Sequence, residues 1–261
     1  MHPTLLAAKL HPLWRIRAER FMDLTLGYRL RTLRNSPRVT SAFLHRQALE
    51  CVGANTDGEG AVLFDVGAHA GETCLALALE LPQARIHAFE PIGRIYEKLA
   101  QHCRSQPNVV CHKLALGRAP EERWIELLSV DPSCTMNQVS RLASDGTPAG
   151  WKEKIRISSV DEIAKELSVD QLALLKIDVE GFELQVLRGA ERMLLEHRIA
   201  SVMAEVTFAR DSSQHVHLDS VRQILEPAGY ALVGIYDPAY RHETGDLYYA
   251  NALFRPVANG R

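Results

Sequence analysis

The 261-residue sequence predicts an α/β domain built on a mostly parallel sheet that ends in an antiparallel hairpin. Three observations carry this expectation. From Ala61 onward, apolar runs of strand length alternate with stretches of helical periodicity. The run Leu172 to Val179, LALLKIDV, is apolar except at Lys176 and Asp178, as suits a strand covered on both faces at the centre of a parallel sheet. The last two strand-like runs, Tyr230 to Tyr236 and Leu247 to Phe254, are joined only by Asp237 to Asp246. That link is too short for a helical crossover, so the two runs pair antiparallel.

The elements follow in order. Ala61 to Phe64 is a strand that runs through Asp65, Gly67 and Gly71 into a helix bearing Leu75, Leu77, Ala78 and Leu81. Arg85 to Phe89 is the second strand and stops at Glu90. Ile92 to Cys103 is a helix opened by Pro91, whose missing N–H does no harm there. Val109 to Leu116 is a third strand. Trp124 to Leu128 and Ile155 to Ile157 are short strands around a polar loop, Ser129 to Gly150, with the length of a lid or binding segment. Ser159 and Glu162 fit a capping box that opens a helix to Leu167. After the LALLKIDV strand come a helix over Glu183 to His197 and a strand over Ile199 to Val206. A helix around Val216 to Leu225 is then stopped by Pro227 and Gly229.

At 46% hydrophobic and 24% charged, the chain is suited to one large core domain, residues 54–261, with an extension over residues 1–53. Residues 1–46 carry nine Lys or Arg against Glu19 and Asp23, a net of +7, so with −2 overall the remainder is −9. A balance of −2 lacks the basic footprint of bulk nucleic-acid binding. In residues 4–34, Leu5, Leu6, Leu10, Leu13, Trp14, Ile16 and Phe21 recur among the basic residues at roughly helical spacing. This reads as a helical cap on the core or a homodimer contact in preference to a lipid-binding helix. The five cysteines are odd in number and contain no C-x-x-C pair, which fits reduced thiols. With no apolar leader and no run long enough to span a bilayer, the expected location is the cytoplasm, with no integral membrane segment.

Chemistry concentrates in AVLFDVGAHAGET, Ala61 to Thr73, and RIHAFEP, Arg85 to Pro91. Glu90, at the carboxyl end of a strand, is placed to accept hydrogen bonds from both hydroxyls of a ribose. The turn is D-x-G-x-x-x-G, not the G-x-G-x-x-G that receives a pyrophosphate, and Asp65 adds a negative charge beside it. Repelling phosphate and attracting a cation suits S-adenosylmethionine, which has a ribose, an ammonium and a sulfonium but no phosphate. A nicotinamide-dependent oxidoreductase is disfavoured by the absent motif and the terminal hairpin. A non-catalytic cofactor-binding scaffold is disfavoured because Asp65, Glu90 and Asp178 are all retained. No histidine pairing signals a zinc site, while Asp178 and Glu205 leave a divalent metal such as Mg²⁺ open.

DVGAHAGET, FEP, SVDEI and above all LLKIDVEGFELQVLRGA (Leu174 to Ala190), with AEV and GDLYYANALF, resemble the FkbM family of S-adenosylmethionine-dependent methyltransferases over about Ala61 to Phe254. The resemblance implies a class I methyltransferase, Rossmann-like fold, with helices on both faces of a seven-stranded sheet whose last strand is antiparallel. It also implies O-methylation of a hydroxyl on a secondary metabolite or a sugar or glycan; N-methylation on the same sheet is the alternative. His69 stands where Asn is more usual.

Carried over by position, Asp65, Gly67, Ala68 and Gly71 form the methionine side of the cofactor site, with Glu72 and Thr73 at its helix start. Glu90, followed by Pro91, is the ribose clamp, and Ala115 and Leu116 lie against adenine. Asp178 holds the cofactor's ammonium or the acceptor hydroxyl. The reaction is an in-line displacement leaving S-adenosylhomocysteine, and it needs alignment and one proton acceptor. That acceptor is expected among Asp178, Glu180, Lys176, Glu205 and His69. Lys176 is either a base with a pKa lowered by burial or a member of a structural ion pair. Glu183 reads as a solvated helix-start residue.

Overall fold

The computed structural model describes residues 59–127, 139–140, 151–209, 212, 215–241 and 244–257. The basic extension, with its cap and homodimer readings, and nearly all of the Ser129 to Gly150 loop lie outside these residues. Strands β1 (Val62–Val66), β2 (Arg85–Phe89), β3 (Val109–His112), β8 (Leu174–Ile177), β9 (Val202–Thr207), β10 (Tyr230–Tyr240) and β11 (Leu247–Pro256) form one seven-stranded sheet. Its order is β10-β11-β9-β8-β1-β2-β3, and only β11 runs antiparallel to its neighbours. The seven strands and the terminal hairpin are those expected.

Alternation within the strands sorts side chains onto two helical layers. Phe64, Val66, Leu175, Ile177, Ala204 and Val206 share one core with helices α3 (Val160–Glu166), α4 (Glu183–Arg188), α5 (Glu191–Leu195) and α6 (Leu218–Leu225). Leu63, Ile86, Ala88, Leu174 and Met203 share the other with α1 (Glu72–Glu80) and α2 (Gly93–Cys103). All four residues of β8 are buried, as a central parallel strand requires.

Three expectations are corrected. Val109 to Leu116 is not one strand: β3 ends at His112, whose carbonyl accepts the Leu114 N–H, and the chain turns out of the sheet. Ala115–Leu116 is instead β4 of a second sheet, β4-β7-β5-β6, with β5 (Glu121–Leu127), β6 (Val139–Ser140) and β7 (Trp151–Ser158). The short strands expected on either side of the polar loop are thus long antiparallel partners, with Ile125 and Ile155 packing on Ile92 and Ile95 of the α2 end.

The single helix expected over Glu183 to His197 is two, α4 and α5, with Gly189 between them. Its amide bonds back to Gln185 while its carbonyl accepts the Asp161 N–H. The Asp161 carboxylate in turn accepts the N–H groups of Arg192 and Met193, capping a helix that has no cap of its own. Ser159 caps α3 by accepting the Glu162 N–H, as its motif predicts.

Gly189 is fixed by space: a Cβ there would stand 1.9 Å from the carbonyl oxygen of Gly117. Backbone cannot yield as a flexible side chain does, so Gly189→Ala is expected to cost about 1–3 kcal/mol or more. At roughly 2–4 °C per kcal/mol for a domain of this size, a thermal melt checks it, and an unchanged midpoint would contradict the close packing.

Candidate functional site

The carboxyl ends of β1, β2, β8 and β9 form one crevice rim. The strand register places Asp65 of β1 beside Lys176 of β8, and Lys176 beside Met203 of β9, on the face shared with α1 and α2. Period-two alternation puts Asp178, Glu205 and Glu90 on this same face. The polar side chains therefore emerge together where ligands bind in open α/β sheets.

At the centre, Asp65 is fully buried and neither of its oxygens accepts a hydrogen bond among the described residues. Its counter-charge is Lys176, whose ammonium lies 3.5 Å from Asp65 and donates to Asp178 at 3.0 Å. Burial acts to lower the Lys176 pKa, but Asp178 and Asp65 together outweigh it and hold the group above the ordinary ammonium range. Of the two readings of Lys176, the structure therefore supports the ion pair and corrects the lowered pKa. The Asp65 carboxyl is raised by burial, with Lys176 opposing. Its charge is directed at Lys176 within the sheet and not at the open turn.

The turn after β1 is pinned to β2: the amides of Gly67 and Ala68 both donate to the Phe89 carbonyl at 3.0 Å. Gly67 has φ +83, and a Cβ there would come within 1.8 Å of the Asp178 carbonyl oxygen. The first and central strand ends therefore meet in backbone contact that only glycine permits. His69 occupies the left-handed region at φ 49, a conformation Asn adopts readily and His less so. Its Nδ1 lies 3.6 Å from Glu72, which raises the imidazole pKa against the effect of burial. Thr73 falls in the first turn of α1, which opens at Gly71.

Glu90 is 5% exposed. One carboxylate oxygen accepts the Ile92 N–H at 2.9 Å and the other the His69 N–H at 3.2 Å, so the side chain joins the glycine turn to the start of α2. Burial outweighs these donors and pushes its pKa up to about 7. Pro91 stands between Glu90 and the Ile92 N-cap, one residue before the place expected.

Ala115 and Leu116 are not at the end of the third strand of the main sheet. They pair with Ile157 and Ser158 in the second sheet, and Leu116 is buried in the core. His112 holds the strand end instead, stacked on Phe89 with centroids 4.7 Å apart and bonded to His87 at 2.9 Å.

Across the crevice, the turn after β8 carries Glu180 at φ 52 and Gly181 at φ 99. Burial, with Asp178 and Glu205 adding, pushes the Glu180 carboxyl up to about 7. Glu183 is not solvated, contrary to expectation: it is wholly buried, and its carboxylate accepts the N–H groups of Val179 and Gly181 at 3.2 Å. It therefore braces the turn that presents Asp178 and Glu180, and burial pushes it to about 7. Glu205 is raised chiefly by burial and then by Asp178, and lies 3.0 Å from the Nδ1 of His215. Sequence reasoning missed His215, Tyr248 and Tyr249. The available signal was position, since residues just beyond a strand's carboxyl end and on the adjoining hairpin face the crevice. Among the described residues, no group of three or more His, Cys, Asp or Glu is arranged to hold a metal.

Lys176→Met would leave Asp65 buried without a counter-charge. Loss of one partner from a buried pair is expected to cost about 3–5 kcal/mol, read as a lowered thermal midpoint. An unchanged melt would show that the ammonium does not hold the strand ends.

Residues 65–232 match the FkbM methyltransferase domain. The chain is 26% identical over 201 residues to the AMB antimetabolite synthetase AmbE of Pseudomonas aeruginosa, across 65% of this chain and 9% of that protein. It is 26% identical to the 31-O-demethyl-FK506 methyltransferase FkbM of Streptomyces tacrolimicus, across 69% of this chain and 76% of the other. It is 29% identical to the hexuronic acid methyltransferase AglP of Haloferax volcanii, across 52% of each. The fold is similar to the METTL16 methyltransferase domain, with a TM-score of 0.50, 13% identity, and coverage of 95% of this chain and 81% of that one. With the family domain matched across both halves of the crevice, the chain belongs to the FkbM family of S-adenosylmethionine-dependent methyltransferases.

Proposed function

We propose that the protein transfers a methyl group from S-adenosylmethionine to a hydroxyl of a secondary metabolite or of a sugar or glycan. The observation that carries this reading is Glu90: a buried carboxylate at the end of β2, beside the glycine turn, with lone pairs to spare for two vicinal hydroxyls. Transfer to oxygen draws support from the name of the Streptomyces relative, a 31-O-demethyl-FK506 methyltransferase, and transfer to a sugar from that of the Haloferax relative. N-methylation is the second reading.

When bound, S-adenosylmethionine supplies a methyl already activated by sulfonium, so no covalent nucleophile is needed. In this proposal Glu90 holds the ribose, and the turn and helix start over residues 67–73 hold the methionine end, with Asp65 bracing them from beneath through Lys176. Asp178, one third exposed where Asp65 and Lys176 are buried, is available to the ammonium. Glu180, Glu205 and His215 face the acceptor. A cytoplasmic location is part of the same proposal. Cys74, Cys103 and Cys111 are free thiols, and no helix among the described residues is long and apolar enough to cross a membrane.

Each charge-assisted hydrogen bond to a ribose hydroxyl is worth about 1.5–3 kcal/mol, so Glu90→Ala is expected to weaken S-adenosylhomocysteine binding at least roughly tenfold. The Glu90 pKa is raised to about 7, so lowering the pH through 7 protonates the carboxylate and removes the charged acceptor. Affinity is therefore expected to fall from pH 8 to pH 6, and this part of the pH dependence should vanish in Glu90→Gln. Calorimetric titration across that range checks both, and unchanged affinity in Glu90→Ala would sink the ribose assignment.

Asp178→Asn keeps the shape and loses the charge. It is expected to fold and to weaken cofactor binding, with methyl transfer falling in step once an acceptor is supplied. An Asp178→Asn protein with normal affinity and normal turnover would remove the central strand end from the site.

A further inference from the structure

Methyl transfer to an unactivated hydroxyl needs a proton acceptor, and the central charges do not offer one. Lys176 is already an ammonium between two carboxylates, and Asp178 accepts its hydrogen bond. His69 pairs with Glu72 on the cofactor side of the turn.

His215 is differently placed. The segment before α6 is folded back on β9: the Thr207 N–H donates to the Val216 carbonyl at 2.9 Å, and Thr207 bridges to His217. This carries the imidazole over the carboxyl end of β9, where its Nδ1 stands 3.0 Å from Glu205 Oε2, both side chains mostly buried. The pair is within ion-pair distance but out of line for a hydrogen bond, which is common in catalytic pairs before substrate draws them together. Two tyrosines of β11 fix the ring, Tyr249 at 5.0 Å and Tyr248 at 6.0 Å between centroids, and the Arg241 guanidinium lies 5.1 Å from the Tyr248 ring.

Building on the O-methyl transfer proposed above, we infer that His215 is the catalytic base and Glu205 its positioning residue. With Nδ1 turned to Glu205, Nε2 is the nitrogen left to meet the acceptor, the division of labour of a carboxylate–histidine pair. As the acceptor oxygen bonds the methyl carbon, the carbon–sulfur pair stays on sulfur to give S-adenosylhomocysteine. The hydroxyl proton passes to His215 Nε2, and the resulting imidazolium is held by Glu205 until it releases the proton to water.

The groups facing His215 are Glu205 of β9, Glu180 and Glu183 around the start of α4, and Tyr248 and Tyr249 of β11. Burial lowers the imidazole pKa, but the three carboxylates, Glu205 foremost, raise it on balance. The rate should therefore climb with pH through a raised inflection, and loss of the Glu205 charge should move that inflection to lower pH.

The test uses S-adenosylmethionine labelled on its methyl, with a combined small-molecule and glycan extract of cells lacking this protein as the acceptor source. S-adenosylhomocysteine affinity and thermal midpoint are measured on the same preparations. His215→Gln is expected to keep affinity and midpoint while label incorporation falls by about 10²–10⁴. Glu205→Gln is expected to shift the pH–rate inflection downward, which a merely structural contact would not do. Incorporation by His215→Gln at the original rate, or superimposable pH profiles for Glu205→Gln and the parent, would overturn the assignment. So would a loss confined to Glu180→Gln. A parent protein that binds S-adenosylhomocysteine yet labels nothing in the extract would instead overturn the methyl-transfer reading, and the base with it.

Discussion

The crevice depends on one buried cation. Lys176 stands in register with Asp65 across the β1–β8 pair, and its ammonium reaches past the strand end to Asp178. Isolated, each charge would cost several kcal/mol to bury, and a carboxylate as enclosed as Asp65 would be neutral. Set side by side they fix where the two strands end, and Gly67 then lets the turn lie directly on the Asp178 carbonyl. The arrangement serves geometry before chemistry, since it holds two loops at a fixed spacing without requiring either to exchange a proton.

From that centre the site divides. On the β1–β2 side, the Phe89 carbonyl ties the glycine turn to β2, and the Glu90 carboxylate ties it to the start of α2. On the β8–β9 side, three carboxylates with raised pKa, Glu180, Glu183 and Glu205, gather around His215. Glu183 belongs to the scaffold of that side, because its carboxylate is committed to the amides of Val179 and Gly181. A rigid half that fits a nucleoside and a titratable half that fits proton removal are what a methyl transfer needs, with alignment contributed by both.

Strand alternation made much of this readable from the residues. LALLKIDV declares a central strand, and the two polar residues that interrupt it lie two apart, hence on one face, so Asp65, Lys176, Asp178 and Glu205 converge as soon as the strands are paired. Glu90 was legible for the same reason, as a charge at a strand end. What escaped depended on turn geometry and pairings that local periodicity does not mark. The second sheet was hidden because β5 and β7 pair across a long stretch of intervening sequence, which also misplaced Ala115 and Leu116. Burial of Glu183 follows from the positive φ angles of Glu180 and Gly181, which turn two amides toward it, and nothing in the local periodicity marks that. His215 reaches the crevice only through the bridge from Thr207 to His217.

We propose that the glycine turn, Glu90 and the β8–β9 rim form one methyl-donor site, and a crystal structure of the protein with S-adenosylhomocysteine decides it. Both ribose hydroxyls are expected within hydrogen-bond distance of the Glu90 carboxylate, the homocysteine portion along residues 67–73, and the sulfur facing Glu205 and His215. A nucleoside seated away from Glu90, or a sulfur turned from the β8–β9 rim, would contradict it.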